Sequence, residues 1–293
     1  MTEPAPSTPL QDLSAALAQA IATMAPALVS VRSGRSGASG FIWKPGLVVT
    51  ADEALAEEGE TTVTLPGGEA VAALLAGRDP TTDVALLRVD RPDLTPAPLA
   101  ASPVGVGALA LVIGAQEGAP TAALGVVARA GGPWRSVRGG EIDARIELDL
   151  RLRRSAEGGL VLDAAGRAIG MAVFGPRQRV LVIPAATVER VAARLEGHGC
   201  IPRGYLGLGL QPVAVEGGEG RGAMVMSVDP QGPGAAAGIH QGDVILTLDG
   251  QPVRGVSSLR RSLGPDSVGR TVKVGLRRAG GPVEVSLTIA ERP

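Results

Sequence analysis

What the sequence lacks narrows its function first. It has one cysteine, Cys200, so no intrachain disulfide can form. Away from any histidine-bearing motif, that thiol reads as a small buried hydrophobe. Aromatic residues make up 2% of the chain, so valine, leucine, isoleucine and alanine must fill the core. The net charge is −1, which gives no electrostatic case for nucleic acid or an acidic membrane surface. There are two histidines, His198 and His240, so imidazole chemistry has few places to reside. No apolar run is long enough to span a bilayer: Leu13 to Met24 is interrupted by Ser14, Gln19 and Thr23. The first basic residue is Arg32, so no secretory n-region is read, and the location expected is cytoplasmic.

The residues that are present suit an all-β chain. The 42 glycines and 23 prolines indicate many turns, and a hydrophobic content of 45% is enough for packed cores. A length of 293 residues suggests two domains. Residues 1–24 read as a Pro/Ser/Thr-rich tail and then an amphipathic helix, about Leu10 to Met24, docked on the first domain. Short strands follow, at Ala27 to Val31, Gly40 to Trp43, Gly46 to Thr50, Thr61 to Leu65, Ala70 to Leu75 and Asp83 to Val89, with a Gly/Ser turn over Ser33 to Gly40. A second set runs from Leu109 to Ile183, and a helix covers Ala185 to Leu195. The sharpest period is at Ile142 to Leu152, where apolar residues alternate with Asp143, Arg145, Glu147, Asp149 and Arg151. Period two puts the charges on one face, read as a solvated face with cross-strand pairs. Residues 199–203 form a linker, and 204–293 are a separate domain of strands and two short helices.

Several ordered motifs carry a resemblance. Arg154-Ser155-Ala156-Glu157-Gly158-Gly159-Leu160-Val161 resembles the nucleophile loop of trypsin-like serine proteases, G-N-S-G-G-P/A-L-V. Leu47-Val48-Val49-Thr50 resembles the I/V-V-T-N-x-H-V strand, and Asp79-Pro80-Thr81-Thr82-Asp83-Val84-Ala85-Leu86-Leu87 resembles D-P-x-x-D-I/L-A-L-L/I. Tyr205-Leu206-Gly207-Leu208 is similar to a PDZ carboxylate-binding loop, and Pro233 to Gly250 to the P-A-x-x-A-G-L-x-x-G-D-V-I-x-x-x-N-G segment. The chain thus resembles the HtrA/DegP type of protease. The fold implied is mainly β: a trypsin-like double antiparallel β-barrel over 25–198, then an α/β PDZ domain.

The resemblance places the histidine, aspartate and serine of a catalytic triad at Glu53, Asp83 and Glu157. Two of the three lack the group the chemistry needs. Ser155 is the nearby hydroxyl, two residues early and without a base. The expectation is therefore a catalytically inactive pseudoprotease, not an enzyme, with no cofactor and no metal. Three converging carboxylates should push at least one pKa upward unless arginine pairs with them. The alternatives are an active endopeptidase, or a regulatory subunit of an active paralogue. The PDZ resemblance implies binding of peptides or protein C-termini with apolar last residues, by strand addition. Tyr205, Leu206, Gly207, Leu208, Leu259 and Leu263 are its site residues, though Leu259 and Leu263 read equally as core. Homo-oligomers are a further partner state the family suggests.

Overall fold

In a computed structural model, residues 8–57, 59–199, 202–215, 220–264 and 267–291 are described. The reading of Cys200 lies outside them. The chain divides into two compact units: residues 1–134 with 141–200, and residues 135–140 with 201–293.

The first unit opens with α1 (Pro9–Met24). Thr8 and Gln11 cap it reciprocally, side chain to backbone in both directions. Met24 is its one buried residue, while Leu10 and Leu13 stay exposed. Six strands then close a barrel: β1 (Leu28–Ser33), β2 (Ser36–Lys44), β3 (Leu47–Thr50), β4 (Thr61–Thr64), β5 (Ala70–Asp79) and β6 (Val84–Val89), in the order β1-β2-β3-β6-β5-β4. The Gly/Ser stretch expected as a turn is mostly strand. Only its first residues turn, and Ser36 to Gly40 pairs with β1. Small residues fit there because Ser39 and Gly40 are buried against neighbouring strands.

A second barrel is built from β7 (Leu109–Gln116), β8 (Ala119–Gly131), β9 (Arg145–Asp149), β10 (Leu160–Asp163), β11 (Ala168–Phe174) and β12 (Val180–Pro184), in the order β9-β12-β11-β10-β7-β8. Its core is aliphatic, with Val112, Val127, Ile146, Val161, Ile169 and Val182 among its buried members. The long alternating segment is split into Glu141–Ile142 and β9, so Leu150 and Leu152 fall beyond the strand. One of its charges is not solvated. Glu147 is 6% exposed and is held by Arg145 at 2.6 Å, Arg179 at 3.1 Å and Arg129 at 3.6 Å. Arg129 is its direct cross-strand partner. α2 (Ala185–His198) ends on Gly199 and buries Val188, Val191, Ala192 and Leu195.

The second unit holds β13 (Gly204–Tyr205), β14 (Leu208–Val215), β15 (Gly220–Val228), α3 (Pro233–Ala236), β16 (Val244–Leu248), β17 (Gln251–Pro252), α4 (Val256–Ser262), β18 (Thr271–Arg278), β19 (Gly281–Thr288) and β20 (Ala290–Glu291). Its main sheet runs β14-β15-β16-β18-β19, with β17 on β16, and β13 pairs with β20. β14 is therefore an edge strand. Leu206, Val225, Ile239, Ile245, Leu259, Val274 and Ile289 fill one core.

Candidate functional site

The first site is assembled from three turns of the first unit. The Asp79 carboxylate accepts from Thr81 Oγ1 and Thr82 Oγ1, both at 2.6 Å, and from the Thr81 N–H at 3.1 Å. This turn delivers Asp83 in a left-handed conformation, φ 59°, just before β6. Aspartate tolerates that region better than most residues. Its Oδ1 accepts the Glu53 N–H at 2.8 Å, which ties it to the turn Asp52–Ala54. Asp52 itself is buried and paired with Arg78 at 2.5 Å.

Glu157 follows the turn Arg154–Ala156 and is 2% exposed. Its carbonyl accepts the Ser39 N–H at 2.8 Å. The Ser39 hydroxyl donates to the Ser155 carbonyl at 2.6 Å and accepts the Ala115 N–H at 2.8 Å. The Glu157 N–H is engaged by the Arg154 carbonyl at 3.1 Å, closing the turn on itself. Gly158 has φ 81°, and a Cβ there would lie 2.3 Å from the Ser39 carbonyl oxygen. Close approach of strand and loop thus requires glycine. Ser39 was not singled out from sequence; its burial and its partners come from tertiary contacts.

Burial pushes Asp83 up to about 8, with the charges of Glu53, Glu157 and Asp52 adding to it and the Glu53 N–H opposing. Burial likewise raises Glu157; the Phe174 backbone and Arg154 pull it down, and Glu53 pushes it up. The structure brings the three sequence-predicted carboxylates together. Asp83, with its pKa raised, thus sits against the Glu53 turn, the kind of carboxyl group that holds a proton more readily than a free aspartate. It presents no hydroxyl at 157 and no imidazole at 53. His198 lies at the end of α2 and His240 in the other unit. Among the described residues no three Asp, Glu, His or Cys side chains are grouped to hold a metal ion.

The second site lies between β13 and β14. Gly207 has φ 68°, and a Cβ there would meet the Gly232 Cα at 2.9 Å. The Leu206 and Gly207 carbonyls accept from the Gly234 and Asp229 N–H groups, both at 2.8 Å. Among the described residues the N–H groups of Leu206 and Gly207 have no acceptor. The Tyr205 hydroxyl donates to Asp229 at 2.9 Å, bracing the loop. Asp229 escaped the sequence reading, although Asp229-Pro230-Gln231-Gly232 is a recognisable turn. Leu206 and Leu259 belong to the core, whereas Leu208 and Leu263 are half-buried against it.

The comparisons with known proteins agree with this geometry. Residues 38–171 match the trypsin-like peptidase domain family, and residues 204–289 match the PDZ domain family. A "probable periplasmic serine endoprotease DegP-like" of Bartonella henselae is 31% identical over 88% of this chain and 53% of its own. The "periplasmic pH-dependent serine endoprotease DegQ" of Escherichia coli K12 is 30% identical over 83% of this chain and 56% of its own. The chain thus spans about half the length of these curated relatives. A solved serine endoprotease from Yersinia pestis superposes with a TM-score of 0.72 at 27% identity, covering 99% of this chain and 100% of that one. The HtrA-type protease AlgW with a decapeptide also gives 0.72, at 25% identity, covering 94% and 99%.

Two expectations are corrected by these relatives. The reading "not an enzyme" is overturned, because the matched proteins are named serine endoproteases. In physical terms, Glu53 and Glu157 stand where the resemblance expected an imidazole and a hydroxyl, while carboxyl groups still exchange protons; hydrolysis as such is not excluded by them. The cytoplasmic location is overturned because the same relatives are named periplasmic. That expectation rested on residues near the start of the sequence, which by themselves do not report location. Among the described residues no helix is long and apolar enough to cross a membrane. With its trypsin-like peptidase barrels followed by a PDZ domain, this chain is similar to serine endoproteases of the HtrA/DegP type.

Proposed function

We propose that this protein is a periplasmic HtrA-type endoprotease that captures the apolar carboxyl-terminal ends of peptides or proteins through its PDZ domain, in protein quality control. The observation that carries the reading is the loop Tyr205–Leu208. Its Leu206 and Gly207 N–H groups have no acceptor among the described residues, and it leads directly into the edge strand β14. Backbone N–H groups so placed favour a carboxylate, and an edge strand accepts a peptide as one more strand. Leu208 and Leu263, half-buried beside the core, supply an apolar wall for the last side chain. The AlgW structure holds a decapeptide, which supports the same use here.

Endoproteolysis is carried to this chain by the names of its relatives. Its chemistry has to be reconciled with carboxyl groups at 53, 83 and 157. Two experiments test the two halves. Fluorescence anisotropy on the whole chain compares one peptide with a free and an amidated end. Binding near the micromolar range, about −8 kcal/mol, is expected for the free end and is lost on amidation. Equal affinity would remove the carboxylate site. Digestion of unfolded casein tests hydrolysis. Loss of cleavage in Ser155→Ala would indicate a serine route, and loss in Glu157→Gln an acid–base route. Casein left intact by the parent chain would remove the endoprotease half alone.

A further inference from the structure

The second unit carries a charge pattern beyond the loop. α4 runs alongside β14 with a fixed polarity. Its C-terminal end is at the loop, where the Gly204 N–H donates to the Leu263 carbonyl at 3.2 Å. Its N-terminal end is at the far part of β14, where a Cβ built on Gly255 would lie 3.9 Å from the Pro212 Cβ. A peptide whose carboxyl end sits at the loop and which pairs antiparallel with β14 must run towards Pro212. Each residue advances about 3.3 Å, so Pro212, four residues beyond Leu208, is reached about four residues upstream of the peptide's end.

At that far end lies an open groove of about 570 Å³, lined by Gly220, Arg221, Leu246, Thr247, Pro252 and Arg254. Arg221 pairs in register with Ala214, six residues along β14 from Leu208. Arg254 immediately precedes Gly255. Both arginines are exposed, and among the described residues neither has an ion-pair partner. Among the described residues no carboxylate lines the groove. Of the other arginines of this unit, Arg278 binds Asp243 and Arg270 faces Asp249, while Arg260 and Arg261 lie on α4 outside this groove. The groove therefore offers two guanidinium groups and an apolar floor of Leu246 and Pro252, placed beyond the reach of the last three peptide residues.

From this we infer that the PDZ groove of this protein prefers carboxyl-terminal segments bearing aspartate or glutamate about four to six residues before an apolar end, read by Arg254 and Arg221. The inference rests on the carboxyl-end binding proposed above and adds the substrate class. Guanidinium groups suit this task because they meet carboxylates in a two-pronged fork and keep their charge at any physiological pH. Contacts of this exposed kind are individually weak, so they tune selection and association rate more than they anchor.

The test uses the whole chain and three ten-residue peptides with free carboxyl ends and two terminal leucines. They carry Asp-Glu, Asn-Gln or Lys-Lys at the fifth and sixth positions from the end. In anisotropy titrations at about 50 mM salt, the acidic peptide should bind about threefold to tenfold tighter than the amide one. The Lys-Lys peptide should bind weakest. The gap should close at about 0.5 M salt, where screening reaches a few ångströms. In the double variant Arg221→Gln, Arg254→Gln the acidic and amide peptides should bind equally, with the amide peptide's affinity unchanged from the parent. That second value also reports that the variant is folded. Equal affinities in the parent chain, or a preference that survives in the double variant, would overturn this inference and leave carboxyl-end binding standing. Absence of binding by all three peptides would overturn the carboxyl-end reading itself.

Discussion

In the two barrels every strand has a neighbour on each side, whereas in the sheet of residues 204–291 the strand Leu208–Val215 has only one. Closure removes the unpaired N–H and C=O groups that would template another strand; the open sheet keeps such a row along Leu208–Val215. The units also hold their aspartates differently. Asp243 is 1% exposed, yet Arg278 binds both its oxygens, at 2.9 and 2.8 Å, and holds its carboxyl below the usual range. Asp83 receives a single N–H bond from Glu53 and faces other carboxylates, and burial raises it to about 8. The two shifts have different leading causes: desolvation comes first for Asp83, and the Arg278 hydrogen bond comes first for Asp243, where it outweighs desolvation.

The largest expected effect removes that partner. Arg278→Met should cost about 3 kcal/mol or more, since it leaves Asp243 buried and unpaired. It should also flatten the pH response. The depressed pKa of Asp243 contributes stability above the usual carboxylate range that is lost as pH falls. In the variant that contribution should be largely absent, so the melting temperature should fall less between neutral and acid pH than in the parent. Thermal melts between pH 4 and 9 would show this, and an unchanged slope would mean that Arg278 is not the controlling group.

Next comes the barrel loop. Gly158→Ala places a methyl group against the Ser39 carbonyl at a positive φ, at a cost of about 2–3 kcal/mol. The melting temperature of the first unit should fall by about 4–10 °C, read by calorimetry. Peptide binding at Tyr205–Leu208 should be retained. A variant that melts with the parent would mean that the loop moves freely away from β2.

A smaller effect is expected at Asp83. Its raised pKa contributes stability that is complete below about 4, the unfolded value. That contribution is lost as pH rises through about 8. Asp83→Asn keeps an oxygen for the Glu53 N–H and suits a left-handed backbone. The variant should match the parent near pH 4 and melt about 2–5 °C higher near pH 9. A variant that melts lower at pH 9 would show that ionised Asp83 is stabilised by a cation.

The smallest change concerns Glu53. For Asp83, burial is the first cause of the shift, and the Glu53 charge adds less. Glu53→Gln should lower the Asp83 pKa only modestly, as followed by the carboxyl carbon shift in NMR titration. A return to the ordinary aspartate range would make charge repulsion, rather than burial, the dominant cause.

Much of this molecule was set by local pattern. Alternating apolar residues and turn-forming Gly and Pro specified short antiparallel strands, and the spacing of Asp79 to Leu87, Gly158 to Val161 and Tyr205 to Leu208 identified the units. Those features depend on period and on backbone conformations that a few residue types favour. The alternation of Ile142 to Leu152 shows where that legibility ends. It indicated a charged outer face, yet Glu147 is buried among three arginines, two of them, Arg129 and Arg179, distant in sequence. Tertiary structure alone decided that pairing, the role of Ser39 beneath the Glu157 loop, and the place of Arg221 and Arg254 at one end of β14. Each depends on strands far apart in sequence being brought into one register, and no local period encodes which charge will meet which partner, or meet none.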